Sequence, residues 1–150
     1  MEPVSLHRTV ELEISADRLW ELVADPQRLG EWLGDDVRFD VAPDGLEPGA
    51  AGVVVDDGVA RFVHVDLVAP GRSVGFTWWE ADGEASRVEL EVVELPGGTS
   101  RLEITETLAI ATTAATSARG ANASAAEAQM RWEVRVGALW ACTVVAALVR

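Results

Sequence analysis

The sequence predicts an α+β fold, in which a curved, seven-stranded antiparallel sheet is covered on one face by a long C-terminal helix. Three observations support this prediction. The chain opens on alternating apolar and polar residues, and turn signals then recur about every dozen residues. The last part of the chain has a capping box followed by an amphipathic run and then an uncharged one. A single domain spanning residues 1–150 is expected, because domains of roughly 100–200 residues are the norm.

The first strand and two short helices are predicted from alternation and from capping residues. Residues 4–14 alternate between apolar and polar side chains, which is typical of a half-buried strand. Ser15 suits the N-cap of a first short helix. Asp25 followed by Pro26 suits the start of a second one, and Gly34 is a candidate for its end.

Six further strands are predicted between residues 36 and 109. Apolar, β-branched and aromatic runs alternate there with turn sequences, as in successive hairpins. The turn sequences are Pro43-Asp44-Gly45, Asp56-Asp57-Gly58, Pro70-Gly71, Asp82-Gly83 and Pro96-Gly97-Gly98. Around residues 87–92 and 101–108, strict alternation puts apolar side chains on one face and many acidic ones on the other. One face of the sheet is therefore expected to be buried and the other solvated.

The end of the chain is predicted to be a loop followed by a long helix. Residues 110–123 are rich in Ala, Thr and Ser and show no clear period, so we expect an irregular segment. Ser124 and Glu127 form a capping box, and a helix is expected from there to about Val149. Its uncharged part, residues 137–149, is shorter than the ~20 residues that span a bilayer, so we expect a buried core helix.

A cavity between the sheet and this helix is a consequence of the predicted architecture. The sheet must cover its apolar face, and the C-terminal helix is the only predicted element long enough to do so. A strongly curved sheet that holds a single helix cannot close tightly everywhere along it. We therefore expect internal space between the two.

Composition excludes several classes of function. The net charge of −13 disfavours nucleic acid and anionic membrane surfaces as partners. The chain has no Lys and no Tyr, so it offers neither a Schiff-base lysine nor a tyrosine general acid. His7 and His64 lack metal-ligand spacing, and Cys142 is the single cysteine, so neither a metal nor a cofactor is expected. No secretory signal is evident at the start, which predicts a cytoplasmic location.

Four stretches of the sequence resemble one known group of proteins. Residues 15–35 (SADRLWELVADPQRLGEWLGD) resemble the opening helix pair of the START-like, SRPBCC (Bet v 1-like) superfamily. Residues 68–79 (VAPGRSVGFTWW), 97–108 (GGTSRLEITETL) and 132–148 are similar to one branch of it. That branch comprises small bacterial proteins homologous to the activator of the 90-kDa heat-shock-protein ATPase. The resemblance implies a helix-grip fold whose cavity binds lipids, polyketides or other hydrophobic molecules.

Two charged residues interrupt apolar strand faces. Arg8 lies on the inward side of the first strand and Glu106 on the inward side of the last. In the resembled fold these strands are antiparallel neighbours, so the two side chains can lie next to each other. We expect them to pair or to reach water in the cavity, because an unpaired buried charge is costly. They either orient the polar end of a ligand or form an ion pair without chemical function.

Aromatic and methionine side chains supply candidate walls for a ligand site. Apolar and aromatic linings are typical of such sites, although most of these residues also suit an ordinary core. Strand parity predicts that Trp78 points inward and Trp79 outward. The candidate ligand-binding residues are Arg8, Trp32, Phe76, Trp78, Glu106, Met130 and Trp132, with Trp32 near an entrance and the last two near the mouth of the cavity.

Three functions remain open from the sequence. The first is a non-catalytic carrier, sensor or sequestering protein for a small hydrophobic molecule, acting as a monomer or homodimer without membrane insertion. The second is a cyclase- or aromatase-like enzyme that uses Arg8, Glu106 and His64 on a polyketide, although no catalytic residue can be assigned. The third is a module that interacts with a chaperone ATPase, as the name of the resembled branch suggests.

Overall fold

The computed structural model describes residues 4–40, 45–81, 83–108 and 118–148. It confirms the predicted α+β helix-grip fold: one curved, open, antiparallel sheet with the strand order β1-β7-β6-β5-β4-β3-β2, two short helices after β1, and a long final helix. The elements are β1 (Val4–Leu12), α1 (Ala16–Ala24), α2 (Pro26–Leu29), β2 (Asp36–Phe39), β3 (Ala51–Asp56), β4 (Val59–Ala69), β5 (Ser73–Trp79), β6 (Ser86–Leu95), β7 (Thr99–Leu108) and α3 (Ala118–Leu148).

Both short helices begin where their capping residues predict. The side chain of Ser15 accepts a hydrogen bond from the backbone N–H of Arg18, and that of Asp25 accepts one from Gln27. Each bond satisfies a backbone donor that has no partner within its helix. The predicted end of the second helix is wrong: α2 ends at Leu29, with Gly30 as its C-cap, instead of at Gly34.

Gly34 has a different role, which is to allow β3 to approach closely. A Cβ atom at this position would lie 2.6 Å from Cγ1 of the buried Val54 and 2.9 Å from the carbonyl oxygen of Val55. Only a residue without a side chain fits between these atoms. The connection from α2 to β2 therefore packs directly onto the neighbouring strand.

The substitution Gly34→Ala is expected to lower the free energy of unfolding by about 1–3 kcal/mol, since it overpacks this contact. Gly137→Ala in α3 is the matched control, because a Cβ at that position meets no atom within 4 Å. In the helix interior it is expected to raise stability by roughly 0.5–1 kcal/mol. Urea unfolding of both variants measures the difference, and equal effects of the same sign would contradict this account.

The hairpins follow the predicted turn sequences where the structure describes them. Asp57 and Gly58 join β3 to β4, both with positive φ (51° and 77°), as a type I′ turn requires. Gly97 and Gly98 also have positive φ between β6 and β7. Of the other predicted turns, Pro43-Asp44 and Asp82 lie outside the described residues.

The start of α3 corrects the sequence prediction. The helix begins at Ala118, so residues 118–123 are helical and Ser124 lies inside the helix instead of at its N-cap. Alanine has the highest intrinsic helix propensity, so an alanine-rich stretch can be helical without an apolar period. Residues 110–117 of the predicted irregular segment, and Val149, lie outside the described residues. In the part of the chain that the structure describes, no helix is long and apolar enough to cross a membrane.

The helices lie on the concave face of the sheet. The first helix packs on β6 and β7, and α3 packs on β1 and β7. The buried residues of α3 recur at helical spacing, so they form one side of the helix, and this side is partly polar. They are Ala128, Trp132, Arg135, Leu139 and Thr143.

Candidate functional site

A fully buried carboxylate lies between the concave face and α3. The side chain of Glu106 on β7 is 0% exposed and accepts four hydrogen bonds. Its Oε2 atom accepts from Nε1 of Trp78 at 2.7 Å and from Oγ of Ser86. Its Oε1 atom accepts from Nη2 of Arg131 and Nε1 of Trp132, both at 2.9 Å. These five residues are called the Glu106 cluster below.

Strand register and one turn of α3 bring the cluster together. Trp78 on β5 lies directly opposite Ser86 on β6, so the indole and the hydroxyl reach the same carboxylate oxygen. Glu106 follows on the next strand, where it pairs with Val88 of β6. Every second residue of a strand points to the same face, which places Glu106 among inward side chains. The helix supplies the other two donors.

Aromatic rings and cations surround Trp78. Its ring stacks on Trp132 at 5.6 Å between centroids and meets the edge of Phe76 at 5.3 Å. The guanidinium carbons of Arg131 and Arg61 lie 5.2 and 5.4 Å from the Trp78 ring centroid, within the range of cation–π attraction. Burial, and then repulsion by Arg131, lower the pKa of Arg61.

A second group of charges fixes the next turn of α3. Arg135 donates hydrogen bonds to Asp56 and to Asp35, the latter at 3.3 Å. Burial lowers the pKa of Arg135, but these two carboxylates outweigh it and the pKa rises. The backbone N–H of Asp57, and then Arg135, hold the pKa of Asp35 below its usual value. The bonds of Arg135 to these carboxylates and the bond of Arg131 to Glu106 together tether residues 131–135 to both halves of the sheet.

Glu106 is arranged as an anchor. A carboxylate has about four lone-pair positions, and four donors already use them. No acceptor position remains for a substrate proton, which a general base must bind. The arrangement can hold the carboxylate itself in place and orient the indole rings. It offers no proton acceptor until one of the four donors leaves.

The structure brings together four of the seven predicted site residues: Phe76, Trp78, Glu106 and Trp132. Arg8 lies beside them without pairing with Glu106, since Arg8 is opposite Ile104 and forms an ion pair with Glu133 at 3.5 Å. The cation that pairs with Glu106 is Arg131.

The other two predicted site residues lie elsewhere. Trp32 is fully buried and donates to the carbonyl oxygen of Leu22 at 2.8 Å, so it belongs to the core and does not line an entrance. Met130 is 70% exposed and points to solvent, contrary to the expectation that it faces the cavity. As predicted, Trp78 is buried; Trp79 lies against Phe62 and is partly exposed.

Sequence analysis missed Arg61, Ser86 and Arg131. Arg61 shares strand parity with the buried Val63 and Val65, which was an available signal for an inward position. Arg131 precedes the buried Trp132 on α3, and its partner depends on where the helix crosses the sheet. No sequence pattern identifies that crossing.

The structure contains a crevice and a groove of very different sizes. The crevice, of about 30 Å³, adjoins the Glu106 cluster and is lined by Leu6, His7, Arg8, Ile104, Gln129 and Trp132. The groove, of about 630 Å³, lies between α1, α2 and the C-terminal half of α3. Within the described ranges, no group of three or more His, Cys, Asp and Glu side chains is placed to hold a metal ion.

A helix-grip sheet under one long helix defines a domain of the START-like, SRPBCC class. The chain belongs to the family described as "Activator of Hsp90 ATPase homolog 1-like protein", whose model matches residues 13–133. This confirms the resemblance found in the sequence. No curated protein matches the chain.

Solved structures share this fold. DynU16, from the dynemicin biosynthetic locus, aligns with a TM-score of 0.69 at 21% identity, over 90% of this chain and 45% of its own. CalU16 from Micromonospora echinospora aligns with a TM-score of 0.65 at 20% identity, over 89% of this chain and 72% of its own. An HSP90 activator from Plasmodium falciparum aligns with a TM-score of 0.57 at 16% identity, over 75% of this chain and 79% of its own. This chain thus spans less than half the length of DynU16, and identities this low show the fold alone.

Proposed function

We propose that this domain binds a small hydrophobic molecule between the concave face and α3, as a carrier, sensor or sequestering protein. The observation that carries the proposal is a buried carboxylate and two arginines set among aromatic rings under a single covering helix. Ligand sites are typically apolar and aromatic with a few placed polar groups. The proposed contacts are Arg8, Phe76, Trp78, Glu106 and Trp132.

A purely structural role explains this cluster less well. Buried ion pairs are expensive to desolvate, and apolar residues of similar volume often stabilise a protein equally or better. Apart from Ser100, Arg135 and Thr143, the other buried residues that the structure describes are apolar, with leucine and valine dominating. Charges concentrated where a ligand-binding fold holds its ligand therefore favour a polar anchoring role.

Entry of a ligand at this site requires Trp132 to move. The adjoining crevice, at about 30 Å³, is large enough for a water molecule but not for a metabolite. Rotation of the Trp132 side chain away from Trp78, or a lift of α3, would expose the two indole faces and the Glu106 carboxylate. Binding should therefore change the emission of these tryptophans.

Binding is favoured over catalysis because Glu106 is saturated with donors and the chain has neither Tyr nor Lys. The fold shared with DynU16, a protein of the dynemicin biosynthetic locus, favours a hydrophobic metabolite such as a polyketide as the ligand. A cyclase- or aromatase-like activity on the same class of molecule is the alternative. Its signature would be turnover of the ligand on prolonged incubation.

The proposal is tested by titrating the purified chain with a panel of fatty acids, sterols and aromatic polyketides while recording tryptophan fluorescence. We expect saturable changes for at least one class. Trp132→Phe should remove most of the change, whereas Trp140→Phe, at a 55% exposed position of the same helix, should leave the affinity unaltered. No response across the panel, with no small molecule extracted from the purified protein, would contradict the proposal.

A further inference from the structure

A ligand-sized space lies outside the sheet–helix interface. This groove, of about 630 Å³, falls within the ~300–1,000 Å³ typical of small-molecule sites. Its lining is mainly apolar, and its four charged residues are exposed, which puts them at the rim. Its apolar residues include Ile14, Leu22, Ala138 and Ala141.

The groove is separate from the Glu106 cluster. Trp132 and Ala141 are nine residues apart on α3, which at ~1.5 Å per residue corresponds to about 13 Å along the helix. The lining of the groove shares no residue with the cluster or with the crevice beside it. Along α3, Arg135 and its bonds to Asp35 and Asp56 lie between the two.

The charges at the rim indicate the kind of ligand. Arg18 and Glu21 stand on α1, while Arg28 and Glu31 form an ion pair at 3.5 Å beside α2. These four charges sum to zero, so the described lining residues offer no surplus cation for an acidic headgroup. The net charge of −13 further disfavours an anion.

We propose that this groove is a second binding site, which takes an uncharged, predominantly apolar molecule. Its apolar residues would contact the body of the molecule, and the paired rim charges would stay in water. The site does not depend on the ligand proposed for the concave face, because binding in the groove requires no movement of Trp132.

The single cysteine of the chain is a built-in reporter for this site. Cys142 lines the groove, and its Sγ–H points at the carbonyl oxygen of Glu31 at 3.5 Å. Burial, and then the charge of Glu31, raise the pKa of the Cys142 thiol. Labelling with an uncharged maleimide is therefore expected to be slow near pH 8, and a bound molecule should slow it further.

The test measures how fast the maleimide labels Cys142 in the presence of a probe ligand. The probe is 1-decanol, decanoate or decyltrimethylammonium. At ten times its dissociation constant, decanol is expected to slow labelling about tenfold, in proportion to the empty fraction of sites. The two charged probes should protect much less. Protection by decanoate or by the cation, but not by decanol, would overturn the assigned ligand class.

Two exposed alanines of α3 provide matched variants. Ala141→Trp fills the groove and should abolish protection by decanol, whereas Ala126→Trp lies outside the groove and should preserve it. Circular dichroism checks that both variants fold. Equal protection in the two variants, or no protection in the unaltered chain, would overturn the site. Loss of protection in Trp132→Phe would show that the two sites are not separate.

Discussion

Replacing Glu106 by glutamine is expected to lower the free energy of unfolding by about 3–5 kcal/mol, the range for breaking a buried ion pair from one side. The amide keeps the shape of the side chain but presents two N–H donors to groups that are themselves donors. Arg131 loses its anionic partner. The amide nitrogen also replaces one of the two acceptor oxygens, so that either Trp78 or Trp132 loses its hydrogen-bond acceptor. Because small domains have only 5–15 kcal/mol of stability in total, this single change should move the urea midpoint substantially.

Glu103→Gln is the matched control for this experiment. Glu103 stands three residues earlier on the same strand but points to the solvated face, where it lies 3.8 Å from Arg101 and 3.9 Å from His7. Exposed ion pairs contribute at most about 1 kcal/mol, so its loss should be small. If the two glutamine variants unfold at similar urea concentrations, the Glu106 cluster does not hold α3 on the sheet.

Most of the fold could be predicted because its signals are local. Alternation identifies β1, Ser15 and Asp25 act on backbone groups within three residues, and a positive φ at Gly58 depends on one turn. None of these features depends on how distant segments pack. Among the starts of the helices, that of α3 is the exception, since its alanines lack an apolar period even though they favour a helix.

The partners of Glu106 could not be predicted in the same way. Strand parity places Arg8 and Glu106 on one face, but the register sets Arg8 opposite Ile104. Arg131 reaches the carboxylate because of where α3 crosses the sheet, a long-range feature. One error was avoidable: Met130 and Trp132 are two residues apart, hence about 200° apart around a helix, so both cannot face the sheet.

Trp132→Ala is expected to cost about 3–5 kcal/mol of stability, as for other buried tryptophans cut back to alanine. The change opens a cavity beside Trp78, removes the stacked ring at 5.6 Å and takes one donor from Glu106. Trp140→Ala, on the exposed side of the same helix, should change stability by less than about 0.5 kcal/mol. Thermal or urea unfolding of the two variants measures the contrast.

A double-mutant cycle with Glu106→Gln then separates packing from the polar network. If Trp132 stabilises the fold partly through its bond to Glu106, the double variant should lose less than the sum of the two single losses, by about 0.5–3 kcal/mol. Additive losses would mean that the indole acts by filling space alone. In that case Trp132 and the Glu106 carboxylate would be energetically independent, and a ligand could displace Trp132 without disturbing the anchor that holds Arg131.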